Sequence, residues 1–295
     1  MNFETTLAAA GFIPRAVIAD GKWRRCATLD KPKKRNGAYV LHPDGRGYFR
    51  NWATDSDVSA WADGSADRAP VIDPVVLDRR RAEERRARQM AMQGARARWA
   101  DSAPLRGLHP YLERKGLSAI GCNTLRVYRG QLVVPVYWGN TLTSIQTISE
   151  DGVKRFWPGA PVKGGALVLE RPRAAVTAIC EGLATGLAVY QSLRHATVIV
   201  AFDAGNLIHV VDRIRPTGSV VICADNDHAT ELKRGTNPGR EKAANAAELI
   251  GAGVAWPEDI EGTDWADALA EWGIVAHKRI ERQVLAKARY VAPTG

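Results

Sequence analysis

Three short apolar runs, each stopping on a carboxylate, constrain this chain more than any other feature. They are Ala175-Val-Thr-Ala-Ile-Cys180 before Glu181, Thr197-Val-Ile-Val-Ala-Phe202 before Asp203, and Ser219-Val-Val-Ile-Cys-Ala224 before Asp225. Each is rich in β-branched residues and bounded by turn formers, the pattern of strands buried on both faces. The first gap, residues 182–194, carries Leu183, Leu187, Val189 and Leu193; the second, 204–214, carries Leu207, Ile208, Val210 and Val211. Both read as crossover helices, so the strands run parallel with right-handed connections. The acids recur every 22 residues, one βα unit each time. They therefore gather at the carboxyl edge of one sheet, where open α/β sheets bind their ligands.

Asp225-Asn-Asp227 is the sharpest signal in this set. At a strand end, residues i and i+2 project to the same side, so two carboxylates can share one hard cation. Glu181, from a neighbouring strand, supplies a third oxygen. Carboxylates this close repel each other unless protonated or neutralised by a cation. The competing reading makes Asp203 and Asp227 caps of loops or helices, and Glu181 a solvated strand end. For Asp203, followed by Ala-Gly-Asn, a helix cap is expected. For Glu181, Asp225 and Asp227, the convergence of separate elements favours a metal site.

Glu181-Gly182-Leu-Ala-Thr-Gly-Leu-Ala-Val, Asp203-Ala-Gly-Asn-Leu207 and Val221-Ile-Cys-Ala-Asp225-Asn-Asp227 resemble the Toprim domain. The nearest likeness is to the Toprim primases of plasmids, phages and integrated elements. The resemblance implies Mg²⁺ (or Mn²⁺) held by one Glu and an Asp-x-Asp pair, here Glu181, Asp225 and Asp227, which then also carry catalysis. Gly262-Thr-Asp264-Trp-Ala-Asp267 resembles the family's late acidic motif and adds Asp264 and Asp267 as candidate metal residues. Acids three apart near a helix start are also favoured by the helix dipole alone, so both readings stand.

The expected fold is α/β. A Toprim-like parallel sheet flanked by helices (171–295) follows a mostly antiparallel α+β subdomain (105–170), an Arg-rich helical linker (75–104) and a small basic β-rich amino-terminal module (1–74). A chain of 295 residues has room for more than one core. No run reaches the apolar length of a membrane span and the amino terminus has no signal-peptide pattern, so a cytoplasmic protein without a membrane partner is expected. Cys26, Cys122, Cys180 and Cys223 are scattered, and two sit inside expected strands, which favours reduced buried thiols.

Charge is unevenly placed. The first hundred residues hold 19 Lys and Arg against 12 Asp and Glu, the remaining 195 hold 22 against 20. A basic front on a near-neutral back suggests a polyanion partner for the front. A short helix in residues 1–10 and a β module over 16–62 are expected there, with turns at Asn36-Gly37 and Asp44-Gly45. Arg24, Arg25, Lys31, Lys33, Lys34, Arg35 and Arg50 interleave with the rings of Trp23, Tyr39, Tyr48, Phe49 and Trp52, cations and rings together as single-stranded nucleic acid requires. The alternative makes the rings the core of the module and Lys31 to Arg35 a solvated loop. Gly37-Ala-Tyr-Val-Leu-His-Pro-Asp-Gly45 and Tyr48-Phe-Arg-Asn-Trp52 resemble the amino-terminal module of plasmid and phage primases. Many Toprim primases carry a zinc ribbon in front; here only Cys26 and His42 lie near, too few for tetrahedral zinc, and none is expected.

Residues 65–74 read as an Ala/Asp/Pro linker, and Val75 to Trp99 as a long helix exposed for much of its length. A short helical segment at 105–116 precedes antiparallel strands near 125–128, 131–137, 142–148 and 154–157. In the resembling primases this block lends basic residues to the nucleotide, and Lys154, Arg155 and Lys163 match; Lys154 also reads as a turn lysine. Residues 228–237 look like a mobile loop, and Pro238 opens a helix capped by Asn237. Arg240 and Lys242 lie near its start, beside the proposed cation, and join the nucleotide-binding candidates. Residues 274–290 read as a terminal amphipathic helix.

Cations held by acids at a basic cleft suit phosphoryl transfer. Three readings follow. A primase joins ribonucleoside triphosphates on a single-stranded DNA template, for replication or transfer of a mobile element. A Toprim nuclease uses the same acids to cut phosphodiesters. A non-catalytic protein binds single-stranded nucleic acid and keeps the acids as structural ends. A Toprim topoisomerase needs more chain for its tyrosine and gate, and no Gly-x-x-x-x-Gly-Lys-Ser/Thr marks a fused ATPase or helicase motor. Unwinding is therefore expected from a separate replicative helicase. The primase reading leads.

Overall fold

A computed structural model describes residues 2–55, 57–62 and 74–293. Contacts divide the chain into two units, Met1–Arg80 and Arg81–Gly295. Most of the stretch read as a linker, 65–73, lies outside the described residues.

The first unit opens with α1 (Phe3–Ala9), capped by the Asn2 side chain, which accepts the Thr5 N–H at 2.8 Å. Five antiparallel strands follow: β1 (Phe12–Ile13), β2 (Arg24–Thr28), β3 (Gly37–Leu41), β4 (Arg46–Asn51) and β5 (Ser59–Ala62), paired in chain order. Their period of two sorts the side chains. Phe3, Leu7, Phe12, Cys26 and Tyr39 form one buried cluster, with Phe49 and Trp61 packed on it. Gly47 is obligatory beneath it, because a Cβ there would stand 2.4 Å from the Phe3 ring. Arg25 pairs with Ala38 and Ala38 with Arg50, so both arginines fall on the other face of the sheet.

The second unit takes most of α2 (Pro74–Asp101). This helix is exposed over much of residues 81–93, as its arginines imply, but its last turns are not a free linker. Ala95 is buried and Trp99 packs with Val133, Ile145, Tyr128 and Trp157. These residues cover a sheet of β6 (Ala103–Pro104), β7 (Arg126–Tyr128), β8 (Gln131–Trp138), β9 (Thr141–Ile148) and β10 (Lys154–Phe156), antiparallel throughout in the order β10-β9-β8-β7-β6. The short helix α3 (Pro110–Arg114) lies between β6 and β7 in the chain.

The remaining elements are β11 (Leu167–Leu169), β12 (Val176–Cys180), α4 (Leu183–Ser192), β13 (Ala196–Val200), α5 (Ala204–Ile214), β14 (Gly218–Cys223), α6 (His228–Arg234), α7 (Pro238–Ile250), β15 (Gly253–Ala255), α8 (Trp265–Trp272), α9 (Ala276–Lys287) and β16 (Arg289–Val291). β13, β12, β14 and β15 run parallel, with β11 antiparallel on β13 and β16 antiparallel on β14. Alternation again splits the core. Ala178, Cys180, Val198, Val200, Val221 and Cys223 face the cluster that includes residues of α4, α8 and α9. Ile179, Ile199, Val220 and Ile222 face the cluster built on α5 and α7.

Two local expectations are corrected. Residues 228–234 form α6, closed by Gly235 at φ 71°, where a mobile loop was expected. The terminal helix stops at Lys287 and the chain turns extended at Ala288 into β16. The parallel set is as expected, and the antiparallel strands β11 and β16 extend it. No described helix is long and apolar enough to cross a membrane.

Candidate active site

Strands β12 and β14 are parallel neighbours with Cys180 opposite Cys223, so both chains leave the sheet at the same height. Glu181 and Asp225 emerge there, one and two residues past their strands. Asp225 Oδ1 accepts the Thr185 hydroxyl at 3.0 Å, from the first turn of α4. Asp225 keeps a window to solvent, yet enclosure of its carboxyl pushes the pKa up to about 8, with the charges of Glu181 and Asp264 adding to the rise. Glu181 is raised as well, by burial first and then by Asp227 and Asp203; the Ala204 N–H and Lys242 pull the other way. Asp227 accepts the Gly239 N–H on Oδ2 at 3.2 Å, and its own N–H donates to Asn237 Oδ1 at 3.2 Å.

Asp203 is a helix cap: its Oδ1 accepts the Asn206 N–H at 3.0 Å at the start of α5. Asp264 and Asp267 form a reciprocal capping box on α8. Lys115 Nζ lies between them, 3.0 Å from Asp264 Oδ2 and 2.8 Å from Asp267 Oδ1. Burial works against the Lys115 charge, but these hydrogen bonds outweigh it and hold the proton above the usual lysine range. Burial also raises Asp267, and Lys115 together with the Thr263 and Asp264 N–H groups more than reverses that, leaving its carboxyl below the ordinary value.

Among the described residues, no three His, Cys, Asp or Glu side chains stand as a ready metal cage. Yet the donor set fits a hard divalent cation in its chemistry. Glu181, Asp225 and Asp227 are oxygen ligands whose mutual repulsion a cation relieves. Each of these carboxylates meets a protein donor: Ala204, Thr185 or Gly239.

Of the basic candidates, Lys154 and Lys242 reach this edge. Lys154 Nζ lies 3.7 Å from where a Cβ on Gly182 would stand, and its charge acts on Asp225. Lys242 Nζ lies 4.0 Å from the same point on Gly205, and its charge acts on Glu181. Arg155 is exposed and alternates to the other side of β10. Arg240 is engaged elsewhere, with Glu231 at 3.3 Å and over the Trp256 ring at 4.3 Å. Lys163 is exposed on a turn closed by the Gly165 N–H on the Val162 carbonyl.

In the first unit the rings divide between the two readings. Tyr39 and Phe49 belong to the core, whereas Trp23 and Trp52 are each 55% exposed. Arg50 lies 4.2 Å and Arg25 5.3 Å from the Trp52 ring centroid. Tyr48 is half-buried, edge-on to His42 at 5.9 Å. Arg24 is tied to Asp20 at 2.7 and 2.8 Å, and Arg35 donates to the Arg25 carbonyl. Lys31, Lys33 and Lys34 are exposed.

Four residues of the site escaped the sequence reading. Thr185, four residues after Glu181, carried a usable signal, the one hydroxyl in the otherwise apolar first turn of α4. Asn237 was read only as a cap; its buried amide also donates to Asn226 and Glu231. Lys115 and Asn206 carried no local signal.

Residues 176–274 match the family model of the Toprim domain. The chain is 35% identical to a DNA primase TraC of Escherichia coli, over 81% of this chain and 24% of that protein. A second Escherichia coli DNA primase TraC is 31% identical over 81% of this chain and 18% of its own length. The chain thus spans about a quarter or less of these relatives. Among solved structures, the DnaG primase catalytic domain bound to ssDNA aligns at 14% identity over 69% of this chain and 83% of its own, with a TM-score of 0.44. The primase fragment of the bacteriophage T7 primase-helicase protein aligns at 13% identity over 91% and 97%, with a TM-score of 0.42.

Proposed function

We propose that this chain is a DNA primase, a nucleotidyltransferase that joins ribonucleoside triphosphates into short primers on single-stranded DNA for replication or transfer of a mobile element. The observation that carries the reading is the in-register pair β12 and β14, which delivers Glu181 and Asp225-x-Asp227 to one edge as a mutually repelling acid cluster. Similarity to DNA primase TraC supports it. Glu181, Asp225 and Asp227 would hold Mg²⁺ or Mn²⁺. When bound, that ion supplies neutralisation of the triphosphate and of charge developing in the in-line transition state. Thr185 holds the Asp225 carboxyl in place through its hydroxyl. Lys154 and Lys242 flank the acids and counter charge that the acids and cation leave over; Lys163, Arg155 and Arg240 are further candidates for the nucleotide. Asp264 adds negative charge near Asp225; it and Asp267 are held on Lys115, and a second ion there would have to displace the Lys115 ammonium. In the first unit, Trp23, Trp52, Tyr48, Arg24, Arg25, Arg50 and Lys31 to Arg35 form the template surface. A separate replicative helicase would do the unwinding, in the cytoplasm.

The test is direct: incubate the chain with single-stranded DNA, Mg²⁺ or Mn²⁺ and labelled ribonucleotides, and resolve the products. Short labelled oligomers that vanish in Asp225→Ala are expected. Shortened DNA without ribonucleotide incorporation would replace the reading with a nuclease.

A further inference from the structure

Asn206 is an asparagine in the first turn of α5, 5% exposed, with every part of its amide engaged. Its Oδ1 accepts the Gly164 N–H at 2.7 Å, while its Nδ2 donates to the Gly165 carbonyl at 3.0 Å and the Ala201 carbonyl at 2.8 Å. A helix cap needs none of these bonds, and Asp203 already caps α5. What they hold is the turn Val162–Gly165, with Lys163 at its exposed corner and Gly164 at φ 71°. Arg213, two turns along the same helix, donates from Nε to the Gly164 carbonyl. The turn has no slack on its inner side, because a Cβ on Gly165 would stand 2.6 Å from Val136 Cγ1. The residue opening the helix, Ala204, gives its N–H to Glu181. One helix start therefore holds both the acid edge and the Lys163 turn.

We propose that Asn206 is a positioning residue for nucleotide binding: it fixes the Lys163 turn against α5 so that the lysine meets the triphosphate held at Glu181, Asp225 and Asp227. This rests on the primase reading above. The geometry favours it because a surface lysine delivers useful charge only when its backbone is fixed. A displacement of about 1 Å at such a contact can cost up to about a hundredfold.

The experiment is a double-mutant cycle on the full chain, with Asn206→Ala, Lys163→Ala and both together. Primer synthesis gives KM and kcat for the ribonucleotides, and equilibrium binding of Mg–ATP gives a readout without turnover. Asn206→Ala should raise KM and weaken Mg–ATP binding roughly tenfold, as Lys163→Ala does, with kcat changed far less. The double variant should be no worse than Lys163→Ala alone, because the asparagine acts through the lysine. Thermal melting and circular dichroism of each variant, with the neutral Asn206→Ser as a second change, guard against misfolding; a folded Asn206 variant that binds Mg–ATP as tightly as wild type would overturn the role. Multiplying effects in the double variant, or equal loss of kcat and kcat/KM with KM unchanged, would overturn the positioning role while leaving the primase reading intact. A wild-type chain that makes no primers and binds no Mg–ATP would refute both.

Discussion

Replacing Asp225 with asparagine should make the cation-free protein more stable, and increasingly so as pH rises. In the unfolded chain this carboxyl loses its proton near the ordinary value of 3.8; in the folded protein it keeps it until about 8. Between those limits the native state binds the extra proton, so each pH unit upward costs the wild type about 1.36 kcal/mol. The group's contribution is present in full below about pH 4 and is lost as pH rises through about 8. The window is about four pH units wide, which sets a ceiling of about 5 kcal/mol; rotation toward solvent and entry of water reduce it. Asparagine has no proton to lose and keeps an oxygen for the Thr185 hydroxyl. The gap between Asp225→Asn and wild type should therefore widen by about 2 kcal/mol or more from pH 5 to pH 8 in EDTA. Hydrogen exchange at the β12 and β14 amides isolates the Toprim sheet from the first unit and measures that gap. Saturating Mg²⁺ should restore the wild type at pH 8 by mass action and leave the variant unmoved. A gap that does not widen with pH would refute the account of Asp225 as a buried acid pressed by its neighbours.

Four further outcomes are expected. Gly239→Ala places a Cβ 2.7 Å from the Asp225 carbonyl oxygen. It should cost about 1–3 kcal/mol by overpacking, and should weaken Mn²⁺ binding in titration calorimetry by moving the N–H that holds Asp227. Lys115→Met leaves Asp264 and Asp267 facing each other at a largely buried site and should cost about 1–2 kcal/mol at pH 7 by chemical denaturation. Because Asp267 is held below its ordinary value, that cost should fade as pH drops through the lowered folded value. Changing Lys31, Lys33, Lys34 and Arg35 to Ala should weaken single-stranded DNA binding and lower the slope of log K against log salt by up to about 3; an unchanged slope rejects the loop as a phosphate contact. Trp52→Ala should lose about 1–3 kcal/mol of DNA affinity with circular dichroism unchanged, since the ring is exposed and outside the core.

What could be read in the sequence follows from the range of the forces involved. The apolar runs before Glu181, Asp203 and Asp225 announce buried strands because burial on both faces demands unbroken apolar sequence, and the helices between them follow from the reach of a crossover. The Asp203 cap is equally local, a side chain bonded to an amide three residues on. By contrast, α6 carries no apolar stripe, with Leu232 at 87% exposure, so periodicity had nothing to report. β11 and β16 are three residues each and exist only because β13 and β14 offer them an edge. Helix α2 reads as exposed for much of its length because Arg79 to Arg81, Arg85, Arg86 and Arg88 cover most of its circumference, and nothing local sets its end apart. There, however, Arg98 lies 3.8 Å from the Tyr128 ring centroid and Arg96 Nε donates to the Leu142 carbonyl, so both charges help seat the helix on the sheet. The late acids show the same limit in the site itself. Asp264 and Asp267, three apart at a helix start, have one local pattern whether they cap, bind metal or meet a lysine. The choice is made by Lys115, 149 residues before Asp264, and no pattern within either segment could show that they meet.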